Sequence, residues 1–155
     1  MFIDDLANRA ELIPTLARWH LAQWAYLNPG DALERRIARL QNHCGSEAIP
    51  TTFVACAGAT PLGSASLVAH DMDTHPELSP WLASVYVAPE FRRQGIGSAL
   101  VRRVGEEARK LGHQNCYLFT PDRDAFYTQL GWRIRSREAY RGEIEIVMEL
   151  ELSSR

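Results

Sequence analysis

Val85-Tyr86-Val87-Ala88-Pro89-Glu90-Phe91-Arg92-Arg93-Gln94-Gly95-Ile96-Gly97-Ser98-Ala99-Leu100 is the stretch on which the reading of this chain turns. It begins as the end of an apolar strand, which Pro89 stops. From Gly97 onward Leu100, Val101, Val104, Ala108 and Leu111 recur at helical spacing, and Gly112 follows as a C-cap. Between strand and helix stand two arginines and two glycines. Glycine lets a ligand approach the backbone, and the first turn of a helix offers unpaired N–H groups at a positive dipole end. Arginine supplies a planar, bidentate partner for phosphate. Together these features predict a diphosphate site. Arg92 to Lys110 holds six basic residues and two acids, a local charge of +4 in a chain whose formal charge is −2.

Other phosphate-binding loops fit less well. A Walker A loop ends in Gly-Lys-Ser/Thr, whereas Gly97-Ser98-Ala99 has no lysine. A dinucleotide fingerprint starts directly off its strand and needs a third glycine where this chain has Leu100. Nucleic-acid binding through the +4 stretch lacks interleaved exposed aromatics and a recognised motif.

Working outward, Trp81 to Val87 forms a strand with Val85 and Val87 on one face and Ser84 and Tyr86 on the other. Cys116 to Phe119 follows the helix as a parallel crossover requires. Upstream, residues 1 to 6 form a short strand, and Ile13, Leu16, Ala17, Leu21, Trp24 and Leu27 trace a helix ended by Asn28-Pro29-Gly30. Asp31 caps a second helix whose buried stripe is Leu33, Ile37 and Leu40. Thr51 to Ala57 and Leu62 to Ala69 form a hairpin around Gly58-Ala59-Thr60-Pro61, and His70 to Pro80 is a polar loop. Downstream, Asp124 caps a short helix ending at Gly131. Two last strands run from about 132 to 137 and 143 to 152 around Tyr140-Arg141-Gly142. Arg133, Arg135 and Arg137 would face Glu143, Glu145, Glu149 and Glu151 on a solvated surface, with Ile144, Ile146, Met148 and Leu150 toward the core. The sum is an α+β arrangement: a mixed sheet, helices on both faces and one parallel crossover.

The 155 residues are 46% hydrophobic and 23% charged, and the chain reads as one globular domain over 1–155 without disulfide or metal staple. Cys44, Cys56 and Cys116 show no paired Cys/His spacing. Acids near the start argue against a signal peptide, and no apolar run approaches the ~20 residues of a membrane span. The expected address is the cytoplasm. His70, Asp71, Asp73 and His75 match no zinc pattern and are read as a solvated loop. His20 is read as a packing residue, and His43 and His113 as ordinary helix-end histidines. Trp19, Trp24, Trp81 and Trp132 are read as core, with Trp81 also a lining residue for an acceptor pocket.

Arg92-Arg93-Gln94-Gly95-Ile96-Gly97 resembles the (Gln/Arg)-x-x-Gly-x-(Gly/Ala) signature of the GNAT superfamily of N-acetyltransferases, preceded by a Val-x-x-Pro strand end. Ala125-Phe126-Tyr127-Thr128-Gln129-Leu130-Gly131-Trp132 is similar to the family's Phe-Tyr-x-x-Leu-Gly-Phe/Trp segment. The resemblance implies a mostly antiparallel sheet with a V-shaped splay between its two central parallel strands. It implies acetyl-CoA as acyl donor, with no metal. The pantetheine arm would pair with the strand edge at Val85 and Val87. The pyrophosphate would lie on Arg92, Arg93, Gln94, Gly95, Ile96, Gly97 and Ser98, mostly through backbone amides. Tyr127 would protonate the leaving thiolate, and a backbone N–H around Val85 to Val87 would meet the oxyanion.

Two departures stand out. The asparagine many relatives carry after the second V strand is replaced by Thr120-Pro121-Asp122-Arg123-Asp124, and the glutamate that several carry on the central strand is absent from Trp81 to Tyr86. A water relayed through the His70 to His75 loop is the expected base. The implied reaction is direct transfer, in a ternary complex, to a primary amine of a small molecule or peptide, with neither nucleic acid nor membrane as partner; a homodimer is allowed. A non-catalytic acyl-CoA-binding module on the same fold is the alternative.

Overall fold

A computed structural model describes residues 1–152, so the last three residues of the expected domain lie outside it. The elements in chain order are β1 (Phe2–Asp5), α1 (Ile13–Trp24), α2 (Leu33–Asn42), β2 (Thr51–Ala57), β3 (Thr60–Val68), β4 (Trp81–Val87), α3 (Ile96–Lys110), β5 (Asn115–Thr120), α4 (Asp124–Gln129), β6 (Arg133–Tyr140) and β7 (Glu143–Glu151). The strands form one seven-stranded sheet in the order β1-β2-β3-β4-β5-β7-β6. β4 and β5 pair in parallel with Trp81 opposite Tyr117, while β1–β2, β5–β7 and β6–β7 are antiparallel. This is the mixed, mostly antiparallel α+β architecture expected.

The chain divides into two compact units, one of Met1–Ser66 with Ser84–Val101 and the other of Leu67–Ala83 with the described residues from Arg102 onward. In the first unit Leu6, Leu12, Ile13, Leu16, Ala17, Leu40, Val54 and Cys56 make a core beneath α1 and α2. Polar side chains are buried there too. His20 Nε2 lies 3.1 Å from Ser64 Oγ, His43 Nδ1 lies 2.8 Å from Thr52 Oγ1, and Thr52 Oγ1 lies 2.7 Å from Ser66 Oγ. Desolvation, reinforced by nearby positive charge, pushes His20 down to about 3 and His43 down to about 4. Both are therefore neutral above mildly acidic pH.

The second helix starts differently from expectation. Ala32 is its N-cap, without a side-chain cap, while Asp31 accepts the Ala32 N–H and pairs with the buried Arg36 at 2.7 Å. A buried arginine needs a fixed carboxylate, and Asp31 is used for that purpose.

In the second unit Met72, Leu78, Trp81, Tyr117, Tyr140 and Val147 form the core. The regular charge ladder predicted for β6 and β7 is interrupted. Arg133 and Arg135 both reach Glu149, but the register slips between Ile134 and Ser136, so Arg137 faces Ile146. A one-residue slip reverses the faces beyond it. Glu145 on β7 is buried rather than solvated, and Ile144, near the start of that strand, is exposed rather than packed in the core. Leu111, at the end of the α3 stripe, is likewise exposed where the helix runs out.

Candidate active site

The predicted phosphate loop lies wholly in the first unit. Ala99 N–H donates to Gly95 O at 3.1 Å, which makes this the first helical bond and Gly95 the residue from which α3 springs. The N–H groups of Ile96, Gly97 and Ser98 therefore have no acceptor inside the helix. Just before them Arg93 (φ 65°) and Gly95 (φ 83°) adopt left-handed backbone conformations. Glycine takes this freely; arginine does so at a cost, which makes Arg93 a locally strained residue. Turns of this kind aim successive N–H groups to one side and build an anion-binding concavity. A Cβ at Gly95 would meet nothing within 4 Å, so the positive φ rather than crowding calls for glycine there.

The side chains of the loop have separate duties. Ile96 is buried and fixes the loop to the core, whereas Arg92, Arg93, Gln94 and Gly95 are exposed. Arg92 Nε donates to Val87 O at 2.7 Å, and its guanidinium lies 5.4 Å from the Tyr86 ring centroid. The arginine is thus held against the end of β4.

β4 changes character along its length. Trp81, Leu82 and Ala83 are buried, and Ser84 to Val87 are half-buried. At the transition Ser84 has φ 56°, a left-handed conformation that breaks the regular extended backbone of the strand. Gly63 on β3 has a second constraint: a Cβ there would come within 2.5 Å of Tyr86 O and 3.2 Å of Val87 Cα. Only glycine permits that approach.

Tyr127 lies in the second unit, on α4, and is buried with its ring edge-on to Trp132 at 6.2 Å. Its backbone carbonyl accepts from Leu130 and from Trp132, so the Leu-Gly-Trp that follows locks the tyrosine in place. Gly131 makes that turn with φ 97°. Desolvation, opposed by the Arg123 charge, pushes the phenol up to about 12. Asp124 sits in the first turn of α4, with Arg123 as N-cap and Thr120 Oγ1 accepting the Arg123 N–H, a correction to the expected Asp124 cap.

The family model of the GNAT acetyltransferase domain matches residues 49–134, which hold both the 92–98 loop and Tyr127. The chain belongs to the GNAT acetyltransferase family. No curated protein matches it. Solved structures share the fold at low identity. The structure of yncA from Salmonella typhimurium with its cofactor acetyl-CoA is 16% identical at a TM-score of 0.74, with 100% of this chain and 95% of that one covered. An aminoglycoside 6'-N-acetyltransferase complexed with coenzyme A is 16% identical at 0.76, covering 100% and 99%. A ribosomal-protein-alanine N-acetyltransferase from Brucella melitensis is 20% identical at 0.75, covering 98% and 100%.

As a GNAT acetyltransferase, the chain is an acyltransferase, and several residues bear on that chemistry differently from expectation. His75 is bound between Glu138 (2.6 Å) and Glu77 (3.2 Å). Those hydrogen bonds hold its pKa above the usual value against desolvation, so it serves as a link from the 70–80 loop to β6. Asp73 pairs with Arg141. Trp81 is fully buried with its indole N–H on Leu78 O, so it lines no acceptor pocket. No group of three His, Cys, Asp or Glu able to hold a metal occurs among the described residues. No helix among them is long and apolar enough to cross a membrane.

Four features escaped sequence reasoning: the Ser84 conformation, the Gly63 contact, the buried Glu145 and an aromatic cluster around Tyr86. Glu145 is fully buried on β7, and neither carboxylate oxygen has a hydrogen-bond partner. Desolvation, with the charges of Glu143 and Asp122, pushes it up to about 7. Gly63 was visible as a lone glycine inside a strand pattern, the usual mark of close backbone approach. The others depend on register and on residues distant in sequence.

Proposed function

We propose that this protein is an N-acetyltransferase that moves an acetyl group from acetyl-CoA directly to a primary amine of a small molecule or peptide. It works as a single domain over 1–155 in the cytoplasm, in a ternary complex, without nucleic acid, membrane or metal. The observation that carries the reading is the loop at the start of α3. Its left-handed Arg93 and Gly95 precede three amides with no helical acceptor. That arrangement suits a diphosphate on Gln94, Gly95, Ile96, Gly97 and Ser98, with Arg92 and Arg93 as counter-charges. Arg92 would leave Val87 O to reach a phosphate. The edge of β4 at Val85 and Val87 would pair with the pantetheine amides.

In the reaction the amine nitrogen forms a bond to the thioester carbonyl carbon and the C–S bond breaks. The amine gives up a proton, and the departing sulfur gains one. A β4 backbone N–H near the left-handed Ser84 would meet the developing oxyanion. Tyr127 remains protonated throughout the working pH range, because its pKa lies near 12. A thiol pKa is roughly 8.5, so full proton transfer from this phenol to sulfur runs uphill. Tyr127 therefore acts by donating a hydrogen bond as charge develops on sulfur, and the proton lost by the amine completes the balance.

Ligand-linked melting tests the reading. Acetyl-CoA at a hundredfold excess over its dissociation constant should stabilise the fold by about 2.7 kcal/mol. CoA thiol release with an amine panel then separates enzyme from binding module. A melt unmoved by millimolar acetyl-CoA would overturn the assignment.

A further inference from the structure

Four aromatic side chains converge in the first unit. Trp19 on α1 stacks on Tyr86 of β4 with ring centroids 5.3 Å apart and planes within 9°. Trp24, one and a half turns further along α1, stands edge-on to the same ring at 6.2 Å and 82°. His20 sits 5.3 Å from Trp24 and 6.4 Å from Tyr86, its far nitrogen on Ser64. Trp19, Trp24 and Tyr86 are only half-buried, in contrast to Trp81 and Trp132. Part of each of these three aromatic side chains is therefore open to a ligand, although Tyr86 already carries Trp19 and the Arg92 guanidinium.

Position and charge narrow its use. Tyr86 is covalently flanked by Val85 and Val87, the two residues assigned to the pantetheine arm, so a molecule on the Tyr86 face lies next to the acyl donor. Positive charge beside the cluster comes from the Arg92 guanidinium, which faces Tyr86, and from Arg39, which acts on His20, while Arg36 is neutralised by Asp31. His20 itself is neutral. Asp31, at the start of α2, is taken up by Arg36. An acceptor with several ammonium groups would meet repulsion here, whereas a planar apolar ring finds stacking partners.

We propose that Trp19, Trp24 and Tyr86 recognise the acceptor, and that the acceptor is a monoamine bearing an aromatic ring. This inference rests on the acetyl-transfer reading. The ring packs on the three aromatics while the single amine, deprotonated, attacks the thioester as above.

The test uses the full-length protein and two readouts. Thiol release is measured with tryptamine and 2-phenylethylamine against n-butylamine, spermidine and kanamycin, and tryptamine binding in the presence of CoA is followed by calorimetry. The aryl monoamines should show kcat/KM at least tenfold above n-butylamine and above both polycations. Trp24→Leu should raise the tryptamine KM or Kd about tenfold while leaving the acetyl-CoA KM and the melting temperature close to wild type, and Trp24→Phe should recover most of the loss. Preference for spermidine or kanamycin, parity of n-butylamine with tryptamine, or tryptamine binding indifferent to Trp24→Leu would overturn the proposal. Thiol release from no amine, together with Trp24-dependent tryptamine binding, would overturn the acetyl-transfer reading and uphold the aromatic recognition surface.

Discussion

The 92–98 loop and the α4 segment carry the two sequence matches to the family, yet they are built on opposite principles. The loop, exposed at residues 92–95, would under the proposed function work through main chain, with left-handed residues and amides that a helix start cannot satisfy. The α4 segment would work through one buried side chain, Tyr127, whose phenol burial keeps protonated. A main-chain site tolerates changes of side chain and fails when backbone space is filled. A buried side-chain site does the reverse.

The sharpest break of this contrast is Gly97→Val. A branched side chain at the second residue of α3 would cover the loop amides. Losing two charge-assisted bonds of about 1.5–3 kcal/mol each predicts at least a hundredfold weaker CoA binding by calorimetry. Wild-type affinity in that variant would show that the amides do not hold the cofactor. For the buried site, Tyr127→Phe keeps the ring against Trp132 and removes only the hydroxyl. Turnover should fall by about a hundredfold with acetyl-CoA affinity unchanged. Because the phenol titrates near 12, the deficit should be the same at every pH from 6 to 9. A deficit that closes within that range would point to a group other than Tyr127.

A smaller effect is expected of Arg92→Ala, where one exposed guanidinium is lost and the amides remain. CoA affinity should drop roughly tenfold, near the lower end of a charge-assisted contact, and the loss should shrink as salt is raised. An equal loss at all salt concentrations would reassign Arg92 to its contacts with Val87 and Tyr86. The gentlest probe concerns burial alone. Glu145 has a folded pKa near 7, raised above its unfolded value of 4.5, so the folded state binds the extra proton between those limits. Stability should therefore decline as pH rises from about 4.5 through 7 and level off above it. Glu145→Gln should flatten that slope in urea melts at pH 5 and pH 8. An unchanged slope would mean that another group titrates.

How far the sequence reached is visible residue by residue. The limits of β4, residues 81–87, agree with the strand read from alternating apolar residues closed by a proline, and α3 starts within one residue of the position marked by Gly97. These signals are local: periodicity, a breaker and a cap act on neighbours only. The failures involve non-local terms. The 143–151 strand agrees with expectation, yet Glu145 is buried and Ile144 exposed, because what covers each face of a strand is set by the elements packed against it and not by its own alternation. Asp31 sat where a helix cap belongs, and the buried Arg36 claimed it.

By itself the sequence determined the order of elements, the glycine turn that opens α3 and the short helix that carries Tyr127, because each is written in residues close enough to constrain one another's backbone. Tertiary structure alone decided that Ser84 would be left-handed, that Gly63 would lie under the carbonyl of Tyr86, and that α1 would lay Trp19 and Trp24 on a β4 tyrosine more than sixty residues away. Of these only the Gly63 approach leaves a local trace, a lone glycine inside a strand pattern, and even that does not name its partner. Burial, register and the sum of neighbouring charges belong to the packed molecule, not to any short stretch of the chain.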